Sequence, residues 1–253
     1  MSWESLDGLL WLLASLLPFL WIQRWLHREI QAVFLILARR PELALGLFSL
    51  LFFPGVFLHE TSHFLAARLL GVRTGKFSLL PHMLPDGHLR MGFVETAQVD
   101  LVRDALVGSA PLLAGGLVVA FLGVYPLGFS GLASKISQGD WLAFWQGMKA
   151  LPGQPDFWLW FYLAFAISST MLPSEADRQA WLPVLVGIGV LVGLAVLAGA
   201  GSWMVENLAP WVDKVLRAVA LVFSTSLAVH VVLGIPVSLS HRGLTRLTGL
   251  DVR

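Results

Sequence analysis

The chain contains no cysteine. That removes disulfides, thiolate zinc sites and cysteine nucleophiles together, so any metal has to be held by His, Asp or Glu. Charge is also scarce, at 13% of 253 residues, where soluble domains carry about 25%. With 57% of the residues hydrophobic and 11 of them tryptophan, the composition is that of a polytopic membrane protein. Seventeen basic residues against sixteen acidic ones leave a net charge of +1 with no dense basic block, which argues against nucleic acid as a partner. No repeat, low-complexity tract or soluble domain interrupts the chain, and residues 1 to 253 read as a single membrane-embedded unit.

What the chain does have is long apolar runs, since about 20 such residues are enough to cross a bilayer core. Six are expected, at about 6–25, 41–70, 106–129, 157–172, 181–205 and 215–239, giving an all-α polytopic fold. Glu4 and Asp7 stand at the start of the first run where a signal peptide would carry positive charge, so it reads as a retained helix. Between Arg28 and Arg39, the stretch Ala32 to Ala38 is too short to span and reads as a separate interfacial or re-entrant helix. Val99 to Val107 reads as a short amphipathic helix ahead of the third span, and residues 130 to 156 as a wet, tryptophan-bearing connection.

The second run ends in His59-Glu60-Thr61-Ser62-His63. Residues four apart share a helix face, so the two histidines can ligate one metal ion, with Glu60 beside it as general base. Ionisable groups at lipid depth cost on the order of several kcal/mol unless paired or solvated, which makes such a cluster functional by default. Pro54 and Gly55 fall about a turn earlier, and both histidines lie beyond that weak point on one regular stretch. A catalytic zinc normally takes three protein ligands. Glu175 and Asp177, just after the proline break at Pro173, are the acidic residues that directly follow a membrane segment, and either is a candidate.

After Gly71 the pattern changes, and Lys76 to Leu79 with His88 to Val94 read as the strands of a small β-hairpin turning at Pro85-Asp86-Gly87. His82 and His88 are weaker ligand candidates than the helical pair, because loop histidines are usually just solvated. His230, single on its helix, reads as a hydrogen-bonding residue.

With these residues in hand, the chain resembles the site-2 protease family of intramembrane zinc metalloproteases. The likeness runs through His59 to His63 into Phe64-Leu65-Ala66-Ala67-Arg68-Leu69-Leu70-Gly71-Val72. It continues in the Phe77-Ser78 strand, and returns at Gly108-Ser109-Ala110-Pro111-Leu112 and around Pro173. The resemblance implies a Zn²⁺ cofactor, a membrane-protein helix as substrate and a site nearer the cytoplasmic face. Thr170-Met171-Leu172-Pro173 stands where the family has Asn-x-x-Pro, which implies substrate contacts for Thr170 and Pro173 as well as for Phe77 and Ser78. An aspartate after that proline completes the family's zinc site, which favours Asp177 over Glu175, although Arg178 follows it where the family has glycine. Among enzymes the main alternative is a membrane metalloprotease of another family with its zinc facing the aqueous side, and two other classes compete. A non-catalytic membrane subunit would have no need of Glu60, and a transporter would spread its polar residues along a pathway. Basic residues divide nine to eight between the two sides of a six-span arrangement, so charge does not set the orientation.

Overall fold

The computed structural model describes residues 7–79, 81–83, 89–90 and 92–250. Among them are five helices long and apolar enough to cross a bilayer, which by length and composition mark a membrane protein. The first, α1 (Asp7–Ala38), runs unbroken through the stretch expected to form a separate interfacial helix. No glycine or proline occurs between Phe19 and Ala38, and Leu26, Ile30 and Ile36 continue one buried face while Arg24 and Arg28 stay exposed. Arg39, at φ 51°, and Pro41 then turn the chain into α2 (Pro41–Leu69). Pro54 stays within α2, and the neighbouring carbonyl of Leu51 accepts a hydrogen bond from Tyr162 Oη at 2.9 Å.

The hairpin is longer than expected and pairs in two patches. β1 (Thr74–Ser78) runs antiparallel to β4 (Phe93–Thr96), with Phe77 opposite Val94. Nearer the tip, β2 (His82–Met83) pairs with β3 (Leu89–Arg90). The turn at Pro85-Asp86-Gly87 lies outside the described residues.

Next comes α3 (Leu101–Val124), capped by Asp100, whose side chain accepts from the Arg103 amide at 3.1 Å. That hydrogen bond holds the Asp100 carboxyl below its ordinary value. The expected amphipathic helix at 99–107 and the span that begins at 106 are one element, which stays helical although it contains Pro111. Two short helices, α4 (Phe129–Ser137) and α5 (Trp141–Ala150), fill the connection, with Trp141 and Trp145 exposed.

The fourth expected span is a shorter helix, α6 (Phe157–Thr170), which ends ahead of Pro173. Then α7 (Trp181–Ala195) and α8 (Gly201–Asn207) form one apolar stretch, joined by a π-helical turn at Val196–Ala200 where Gly199 takes φ 92°. No residue of α7 is buried. The last helix, α9 (Ala209–Thr248), extends beyond the expected span at both ends and packs along α1. Polar contacts tie this pair near its ends: Asp213 Oδ1 accepts from the Gly8 amide at 2.8 Å, and His241 Nδ1 lies 2.8 Å from Glu29. Phe19 and Phe223 meet between them, and Phe52 of α2 meets Phe165 of α6, so α6 lies at the centre of the bundle.

Candidate metal centre

His59 and His63 lie in the last three turns of α2, and their Nε2 atoms are 3.2 Å apart. Each ring is fixed from behind by a backbone carbonyl. His59 Nδ1 lies 2.7 Å from the Thr170 oxygen, and His63 Nδ1 lies 2.9 Å from the Val107 oxygen. A carbonyl only accepts, so both Nδ1 atoms carry the proton and both Nε2 lone pairs are left free to ligate.

Those carbonyls are available because the chain has removed their usual partners. In a helix the amide of residue i donates to the carbonyl of i−4. The residue that would serve Val107 is Pro111, which has no N–H. Thr170 would be served by Ser174, but the Ser174 amide donates instead to Asp177 Oδ2 at 2.7 Å. The Asp177 amide returns a bond to Ser174 Oγ at 3.3 Å, and this reciprocal pair fixes the carboxylate. Asp177 sits in the 3-10 turn Ala176–Arg178, with Oδ1 at 3.2 Å from His63 Nε2 and Oδ2 at 3.7 Å from His59 Nε2.

The two imidazole nitrogens and the carboxylate form one group. With one ligand atom taken from each residue, the three lie within 4.8 Å of one another, close enough to converge on one ion. Among the described residues, His59, His63 and Asp177 are the group of three that could hold a metal ion. Glu175, the other candidate, is exposed just ahead of the 3-10 turn.

Close backbone approach brings Asp177 there. A Cβ on Gly108 of α3 would overlap the Asp177 carbonyl oxygen, and one on Gly55 of α2 would overlap the Ala166 carbonyl and Thr170 Oγ1 of α6. Glycine at these two positions lets the end of α6 and the turn after it settle between α2 and α3.

Glu60 is buried and lines the same cavity of about 510 Å³ as the three ligands. Val94 and Thr96 of β4 form another wall, with Asp104, Ser169 and Thr170. Gly92, just before β4, lies between Glu60 and the Ser78 carbonyl: a Cβ there would be 2.8 Å from Glu60 Cγ and 3.1 Å from Ser78 O. The base of the hairpin thus covers the general-base candidate.

Of the other residues singled out in the sequence, Thr170 lines the cavity and supplies the carbonyl that orients His59. Pro173, Phe77 and Ser78 are not among the lining residues. Phe77 packs instead on Phe64 of α2, at 5.9 Å between ring centres. His82 stands on β2 with its side chain, like all of His88, outside the described residues. His230 is fully buried, hydrogen-bonded to Ser169 and to the Ser226 carbonyl, and is not one of the three grouped ligands. Residues whose part in the site was not foreseen from the sequence include Val107 and Ser174. The spacing between Pro111 and Val107 was a usable signal, whereas Gly108 was legible only as a small residue in a membrane helix.

The fold and site define a class: a helical membrane protein with a two-histidine, one-aspartate candidate metal centre beside a buried glutamate. Comparison with protein-family models, curated proteins and solved structures finds no match to this chain.

Proposed function

We propose that the chain is an intramembrane zinc metalloprotease of the site-2 type, which hydrolyses peptide bonds in membrane-protein helices. The observation that carries this reading is the convergence of His59, His63 and Asp177, all oriented from behind, in one cavity with buried Glu60. When bound, a zinc ion supplies Lewis-acid activation of both water and the scissile carbonyl. Glu60 takes the proton of the attacking water on its carboxylate and delivers it to the leaving amine nitrogen. A structural metal site has no use for such a base, and the burial of Glu60 there favours catalysis over a silent subunit.

Depth supports the same reading. A helix of 14 residues such as α6 is about 21 Å long, while the hydrocarbon core is about 30 Å thick. If α6 starts at one interface, Thr170 and the metal ligands around it fall short of the other. A substrate helix has its carbonyls engaged in its own hydrogen bonds, so it must unwind locally before hydrolysis. The hairpin then offers a strand edge to the extended segment, with Val94 and Thr96 facing the cavity. The resemblance puts this end of the bundle nearer the cytoplasm.

Metal analysis of the purified protein, with cleavage assays on candidate membrane substrates, tests the proposal. About one zinc per chain is expected, lost when His59 and His63 are both changed to Ala. Glu60→Gln should retain the metal and lose hydrolysis by about 10² to 10⁴-fold. Undiminished cleavage by that variant would remove Glu60 from the mechanism.

A further inference from the structure

The end of α6 leaves a second carbonyl without its helical partner. The residue that would donate to Ser169 is Pro173, which has no N–H. Gln23, buried on α1, takes that place: its Nε2 donates to the Ser169 oxygen at 2.6 Å. The Ser169 hydroxyl is held as well. His230 Nδ1 lies 2.8 Å from the Ser226 carbonyl and so carries the ring proton, which leaves Nε2 to accept from Ser169 Oγ at 3.0 Å. Ser169 is therefore gripped by α1 through its backbone and by α9 through its side chain. It lines the cavity, and the next carbonyl, that of Thr170, is the one that orients His59.

We propose that Gln23 is a positioning residue of the metal centre, acting through the Ser169 and Thr170 carbonyls on the ring of His59. The inference rests on the metal-centre reading above. Pro111 and Pro173 each free a carbonyl four residues back. At Pro111 the freed group orients His63 directly, whereas at Pro173 it is capped by Gln23, one peptide away from the carbonyl that orients His59. Without the Gln23 amide, a buried carbonyl would lack its donor, and an unpaired buried polar group costs about 1 to 3 kcal/mol. The last turn of α6 can avoid that cost only by rotating, which moves the Thr170 oxygen with it. The neighbouring peptide thereby links α1 to a ligand on α2.

Co²⁺ titration of the full-length protein in detergent tests this, read by metal affinity and by the visible absorption of the bound ion, alongside the melting temperature of the metal-free protein. Gln23→Met keeps the side-chain length and removes the donor. It is expected to weaken Co²⁺ binding about tenfold, the lower end for loss of a group supporting a ligand, and to alter the absorption bands. Ser169→Ala, which keeps the backbone and cuts only the link to His230, should weaken binding in the same direction by less. Ser15→Ala removes another buried polar group of α1, one bonded to the Trp11 and Leu12 carbonyls, and should leave affinity unchanged. A Gln23→Met protein with lowered melting temperature but native affinity and spectrum overturns the proposal and leaves the metal centre standing. An equal loss of affinity in Ser15→Ala overturns it too. Failure of the unmodified protein to bind Co²⁺ overturns the metal centre and this inference together.

Discussion

Gly108→Ala separates the tertiary argument from ordinary helix energetics. Alanine in place of glycine within a helix is normally stabilising, by about 0.8 to 1.0 kcal/mol. At Gly108 the new Cβ would lie 2.9 Å from the Asp177 carbonyl carbon and closer still to its oxygen, where ordinary van der Waals contact begins at 3.4 Å. Both atoms belong to backbone, so no side chain can swing aside. The turn at 176–178 has to retreat from α3 by more than half an ångström, taking the Asp177 carboxylate with it. Ligand distances in metal sites hold within about 0.2 Å, so that retreat exceeds what the centre tolerates. Metal affinity should fall by at least about tenfold and up to about a hundredfold. Competition titration against a chromogenic chelator measures it, with circular dichroism to verify that helix content is kept. Native affinity in a well-folded Gly108→Ala protein would refute the packing of the 173–180 turn on α3.

Two further outcomes follow from the same site. Asp177→Ala should lower zinc affinity steeply while Glu175→Ala leaves it nearly intact; the reverse pattern in a zinc titration would move the third ligand to Glu175. Because the chain has no cysteine, a single Lys76→Cys substitution on exposed β1 gives a clean topology probe. A membrane-impermeant maleimide should label it from the cytoplasmic side alone, and labelling from the opposite side alone would invert the proposed orientation.

Local rules carried much of this protein. Scarce charge and long apolar runs define a helical membrane chain before any contact is known, because a lipid solvent requires the backbone to satisfy itself within each helix. The spacing of His59 and His63 is a property of one helix, so the pair was legible without a fold. Span limits were not: α1 and α9 run past their hydrophobic windows, and α3 begins before its own but stops at Val124, so hydropathy alone does not mark where a helix ends. The short span at 157–172 closes early at Thr170, with Pro173 just beyond. Composition and spacing left Glu175 and Asp177 equivalent, and the family likeness gave only a preference. What separates them is the packing of the turn on Gly108 and the reciprocal bonds between Ser174 and Asp177, contacts between residues far apart in the chain or set by a turn geometry that no helical or strand period encodes. Pro111 and Pro173 are printed in the sequence, and each announces an unpartnered carbonyl four residues back. That the partners are His63 and Gln23, from other helices, was decided only when the bundle closed around them.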